Sequence, residues 1–106
     1  MSIHEEVKKL TDILSEDILP TRIYLFGSFA KGTNTEESDI DLYIVMSDAF
    51  MNDKYSITQK AYRAIRRKSK RPVDIVVGCE NDFSKSLLEA PLEAEIKNTG
   101  VIVYEK

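Results

Sequence analysis

The sequence predicts an α/β (α+β) domain, a small, mixed, twisted sheet of about four strands flanked by helices. Two observations carry this. Four short apolar runs, Ile23 to Phe26, Asp39 to Val45, Arg71 to Gly78 and Val101 to Tyr104, have the length and composition of strands and are separated by Gly, Pro or polar residues. Between and before them lie segments whose apolar residues recur at helical spacing, so helices and strands alternate along the chain.

A chain of 106 residues reads as one domain spanning 1–106. It can bury roughly 65% of its unfolded surface, enough for one modest core. Hydrophobic residues at 42% and charged ones at 31% are ordinary for a globular domain. No run is apolar enough to span a membrane and no signal-peptide pattern opens the chain, so a cytoplasmic protein is expected. Cys79 is the only cysteine, which excludes an internal disulfide and argues against a zinc site. The net charge of −3 gives no global pull toward nucleic acid, and a nucleic-acid partner is not expected.

In chain order, Ser2-Ile3-His4-Glu5 fits a capping box, and Ile3, Val7, Leu10, Leu14 and Ile18 then mark one face of a helix that Pro20 stops. His4, the sole histidine, sits in its first turn as a solvated residue. The first strand ends at Gly27, and Ser28-Phe29-Ala30-Lys31 suits a helical turn. Thr33 to Ser38 is a polar loop with Glu36 and Glu37 in solvent. A second helix is expected over roughly 53–68, with Ile57, Ala61, Ala64 and Ile65 inward. The basic run Arg66 to Arg71 reads as a solvated helix end in preference to a phosphate-binding patch for RNA or the incoming nucleotide, because no exposed aromatic is interleaved with it; Tyr55 and Tyr62, earlier on the helix, can equally cover core or contact a partner. Asn81 or Asp82 can cap a helical stretch holding Phe83, Leu87 and Leu88, and Pro91 starts another that Gly100 ends. The last strand is expected at an edge.

The residues that carry chemistry are few. Residues two apart on a strand share a face, so Asp39 and Asp41 point one way while Ile40, Leu42 and Ile44 point to the core. Their Cα atoms stand roughly 6.5 Å apart, within joint reach of one Mg²⁺ or of a pair of ions. Asp74 lies opposite Val73, Ile75 and Val77 on the third strand and reads as an inward acid, a further metal ligand or a general base. Gly27 allows close backbone approach, and Ser28 adds a hydroxyl and an N–H for a phosphate. A P-loop is excluded, since Thr33 and Asn34 follow Gly32 where Lys and Ser or Thr are required.

Gly27-Ser28, Asp39-x-Asp41 and Asp74, within Phe26-Gly27-Ser28-Phe29-Ala30-Lys31-Gly32 and Ser38-Asp39-Ile40-Asp41-Leu42, resemble the motifs of the minimal nucleotidyltransferases of the DNA polymerase beta-like superfamily. Lys31 stands where many members have Arg, offering a point charge in place of a fork. The resemblance implies a nucleotidyltransferase fold and transfer of a nucleoside monophosphate, with ATP as the expected donor, to an acceptor hydroxyl. It implies that Asp39, Asp41 and Asp74 hold Mg²⁺, as two ions, and serve catalysis, while Gly27, Ser28 and Lys31 bind the nucleotide. It also implies a small helical partner of the HEPN type in a toxin–antitoxin pair, with AMP added to the toxin. A non-catalytic binding antitoxin, and a homodimeric enzyme modifying an antibiotic, stay open as alternatives. The extra domain that larger relatives carry after the last strand is not expected here.

Overall fold

In a computed structural model that describes residues 3–106, the chain folds as three layers. The cap expected at Ser2 lies outside the described residues. The elements are α1 (Ile3–Ile18), β1 (Arg22–Phe26), α2 (Ser28–Lys31), β2 (Ile40–Met46), a 3₁₀ turn (Asp48–Phe50), α3 (Lys54–Ala64), β3 (Val73–Cys79), α4 (Glu80–Phe83), α5 (Pro91–Thr99) and β4 (Val101–Glu105). The strands form one sheet in the order β3-β2-β1-β4. β1 runs antiparallel to both neighbours, and β2 and β3 run parallel, joined by the α3 crossover. β4 is an edge strand, as expected.

The sheet is mixed because its connections differ in length. β1 and β2 are close enough in sequence to pair antiparallel, whereas a parallel pair needs a crossover, which α3 supplies. α1 and α3 cover one face, where Leu10, Leu14, Ile23, Ile40, Leu42, Ile44, Met46 and Ala61 form the main core. The periodicity of α1 is realised, with Val7, Leu10, Leu14 and Ile18 all buried. The helix stops where Pro20 cannot continue it, and Leu19 turns to a left-handed φ of 57°.

One core was expected, but there are two. The other face of the sheet is closed by α4 and α5, where Tyr24, Tyr43, Val45, Phe83 and Ile96 make a second cluster. Phe83 stacks on Tyr24 at 5.4 Å between ring centroids and meets Tyr43 edge-on at 5.1 Å. The face that carries Asp41 is therefore apolar and covered over most of its length. Every residue of β2 is buried except Asp41, so that carboxylate marks the one place where the covered strand opens.

Two helix boundaries also differ from expectation. α3 ends at Ala64 because Arg67 adopts a left-handed φ of 62°, which helix cannot continue through. α4 is a single turn in which the Asp82 carboxylate accepts the Cys79 N–H at 2.8 Å, and Leu87 and Leu88 lie exposed beyond it rather than packed. Cys79 itself is buried, as expected.

A buried acid fastens α1 to the loop after α3. Glu6 Oε1 accepts hydrogen bonds from Ser69 Oγ at 2.6 Å and from the Lys70 N–H at 3.0 Å. These bonds, the Ser69 hydroxyl above all, hold the Glu6 carboxyl below its ordinary range against the opposing effect of burial. A carboxylate with a depressed folded-state pKa stabilises the fold above its unfolded pKa, and that contribution is lost as pH falls through the folded value. Glu6→Gln is expected to lower stability by about 1 kcal/mol at neutral pH. In urea unfolding the gap between variant and parent should close in acid; a gap independent of pH would contradict this account.

Candidate active site

The strand registers assemble the site. Phe26, the last residue of β1, pairs with Asp41, and Asp41 pairs across the parallel ladder with Asp74. Adjacent strands lie ~4.8 Å apart, so the Gly27 turn, Asp41 and Asp74 form a row across one end of the sheet. Asp39 lies one residue before β2, in the loop rather than on the strand.

Gly27 is required where it stands. Its φ of 74° and ψ of −150° lie in a region that only glycine adopts readily, and a Cβ there would come 2.2 Å from Asp41 Oδ2. The backbone of the turn thus abuts the carboxylate. α2 follows at once, with Lys31 N–H donating to the Gly27 carbonyl at 3.1 Å.

Asp41 and Asp74 are neighbours across the parallel ladder. Burial raises the pKa of the Asp41 carboxyl, and the charges of Asp74 and Asp39 and a hydrogen bond with Asp74 raise it further. Asp74 is exposed, which corrects the expectation of an inward acid. Its strand lies at the edge of the sheet opposite β4, and its face opens to solvent at that end. Among the described residues no three His, Cys, Asp or Glu side chains close into a metal cage. Mg²⁺ takes hard oxygen ligands, commonly one or two carboxylates together with substrate phosphates. Hard carboxylate oxygens, one of them ionised only at a cost, fit such an ion.

These residues lie within a stretch, 8–106, that matches the family described as Polymerase beta, Nucleotidyltransferase. The chain belongs to that family. Over 44 residues this nucleotidyltransferase domain is 41% identical to the CCA-adding enzyme of Picrophilus torridus, a match covering 42% of the domain and 10% of that enzyme. Its fold resembles that of a Sulfolobus solfataricus protein assigned as a nucleotidyltransferase, with a TM-score of 0.63 at 17% identity over 96% of this chain and 79% of that one. A toxin–antitoxin crystal structure with AMP-PNP matches with a TM-score of 0.58 and 25% identity over 93% of this chain and 73% of that one. A mutant of the toxin–antitoxin MntA-HpeT matches with a TM-score of 0.55 and 22% identity over the same shares, 93% and 73%.

Around the acids, the nucleotidyltransferase domain holds two parts that the sequence reading missed. Arg71 clamps the loop before Asp39: its Nη1 donates to the carbonyls of Glu36 at 2.7 Å and Ser38 at 3.3 Å, and its guanidinium lies 5.3 Å from the Phe29 ring centroid in α2. One side chain therefore joins the Asp39 loop to the helix after Gly27. The signal was present in the parallel register, which sets position 71 beside position 38 once Asp74 is aligned with Asp41. The second part is a buried latch, in which the Tyr43 hydroxyl donates to Glu93 Oε2 at 2.6 Å and fixes α5 over the sheet. Burial first, and then Glu93, push the Tyr43 pKa far up, so the phenol stays neutral.

Lys31 is not gathered with the acids. Its ammonium pairs with Glu95 of α5 at 2.6 Å, tying α2 to that helix. The structure thus brings together Gly27, Asp41 and Asp74, sets Asp39 and Ser28 in the adjoining loop and turn, and turns Lys31 aside.

Gly27→Ala is expected to cost about 2 kcal/mol through backbone strain and to displace the Asp41 carboxylate. Thermal unfolding would show the loss; an unchanged Tm would refute the packing described. Asp41→Asn should instead stabilise the metal-free domain. A carboxyl whose folded pKa is raised weakens the fold as pH rises above its unfolded value. The Tm advantage of Asp41→Asn should therefore appear at neutral pH and vanish in acid.

Proposed function

We propose that this domain transfers a nucleoside monophosphate, with ATP as donor, to an acceptor hydroxyl in a Mg²⁺-dependent reaction. The observation that carries the reading is the Asp41–Asp74 pair set across β2 and β3, with the Gly27 turn and Asp39 beside it. Asp39 and Asp41, with Asp74, would hold the ions, as two, and the ions would supply neutralisation of the triphosphate charge. Gly27 and Ser28 offer backbone and hydroxyl contacts to the phosphates.

In the transfer, the acceptor oxygen bonds to the α-phosphorus and the bond from that phosphorus to the bridging oxygen breaks. Pyrophosphate leaves with the electron pair. The acceptor proton passes to Asp74, whose exposure on the edge strand β3 leaves it open to an incoming hydroxyl. Lys31 reaches phosphate only by releasing Glu95.

The acceptor in this reading is a tyrosine of a small helical HEPN-type protein, and the domain is the antitoxin of that pair. Support comes from the toxin–antitoxin structures among its fold neighbours. Cytoplasmic placement belongs to the same reading; among the described residues no helix is long and apolar enough to cross a membrane.

Thermal unfolding with Mg²⁺ and each nucleoside triphosphate tests the site. Ligand at about a hundred times its dissociation constant should raise Tm by on the order of 10 °C. The rise should be selective for ATP and absent in an Asp39→Asn, Asp41→Asn double variant. No rise with any nucleotide would remove the basis of the reading. Incubation with a small helical HEPN-type partner should then add one AMP to a tyrosine, read by mass spectrometry. An unmodified partner would exclude the antitoxin role and leave the nucleotide site standing.

A further inference from the structure

The basic run after α3 does not dissolve into solvent. Residues 63–71 carry Arg63, Arg66, Arg67, Lys68, Lys70 and Arg71 and no acid, in a chain of net charge −3. The left-handed turn at Arg67, closed by the Lys68 N–H donating to the Ile65 carbonyl at 2.9 Å, sends the backbone back along the helix. An open cleft of about 410 Å³ lies here, lined by Tyr62, Arg63, Arg66, Arg67, Arg71 and Val73 among others.

Arg71 is engaged by the Asp39 loop, whereas among the described residues the other cationic side chains of the run, Arg63, Arg66, Arg67, Lys68 and Lys70, are not paired with an acid. Glu6 of α1, which reaches this segment, is taken up by Ser69 and the Lys70 N–H. Attraction to the helix C-terminus accounts for Arg63 and Arg66 and stops within the last turn, so it leaves the rest of the cluster unexplained.

No aromatic is interleaved with the basic run in sequence, but the fold brings Tyr62 beside it. Tyr62 lines the cleft, and its hydroxyl accepts the Ile75 N–H at 2.9 Å, which pins the ring beside β3 with 42% of the residue exposed. Tyr55, two turns earlier on the same helix face, is 78% exposed. Gln59 lies between them. An open stripe of aromatic, amide, aromatic and guanidinium groups thus runs along α3 into the cationic cleft.

We propose that this face of α3 and the cleft at its end bind single-stranded nucleic acid. The cations take successive phosphates, Arg with the bidentate geometry that phosphate favours, and the two tyrosine rings offer flat faces for bases. An acidic protein would satisfy the cations but leave both rings without planar partners. The inference goes beyond the transfer reaction and does not depend on it.

Fluorescence anisotropy with labelled single-stranded RNA and DNA 12-mers on the intact chain, in EDTA and without nucleotide, tests it apart from the metal site. Three arginine contacts predict that log affinity falls against log salt with a slope of about −2. Arg63→Gln with Arg66→Gln should flatten that slope by about 1.4, and Tyr55→Ala should weaken binding about tenfold, with Tm unchanged in both. Labelled polyglutamate of the same length should bind weakly and ignore Tyr55→Ala. Absence of binding to either oligonucleotide at low salt, or polyglutamate binding as tight as theirs, would overturn the proposal, the latter in favour of an acidic protein surface.

Discussion

The parallel pairing of β2 with β3 is the constraint on which the rest depends. It sets Asp41 opposite Asp74, and a slip of one residue would turn one of them to the opposite face. That register is secured by burial. Leu42 and Ile44 on β2 and Ile75 on β3 face α1 and α3, while Tyr43 and Val45 face α4 and α5, so both sides of β2 demand the same alignment. Packing on two faces thereby fixes the position of charges that would otherwise drive the strand ends apart.

Those charges are held in an unfavourable arrangement. Two neighbouring carboxylates, one partly desolvated, cost stability that a purely structural design would avoid. The scaffold tolerates this because the loop before Asp39 is clamped by Arg71 and the turn before α2 abuts the Asp41 carboxylate. Arg71 in turn sits in a segment anchored by the buried Glu6 of α1. A line of polar contacts thus runs from the first turn of the chain to its acidic centre.

Much of this was legible in the sequence. The glycine-serine turn, the alternating acid pair and the third acid on a later strand each carry a local signature, and α1 shows its face by period alone. The second core was not legible, because Tyr43 and Val45 belong to a continuous apolar run and alternation gives no sign of which face is covered. Leu87 and Leu88 invited a helix, but Asp82 closes a short turn ahead of them. The pairing of Lys31 with Glu95 joins residues far apart in sequence, and no local pattern announces it. Tyr62 gave no sign of its place in the basic cleft, since a hydrogen bond to the β3 backbone decides where its ring is held.

The crossover between β2 and β3 also governs how the site comes into being. Gly27, Ser28, Asp39 and Asp41 belong to one antiparallel hairpin, a local structure that can form early, whereas Asp74 arrives only when the chain has closed the long loop through α3. A chain emerging during synthesis has no complete acidic centre until its third strand is available to pair. Whatever binds across Asp41 and Asp74 therefore reinforces the contact with a large closure entropy, and reads out whether the domain has finished folding.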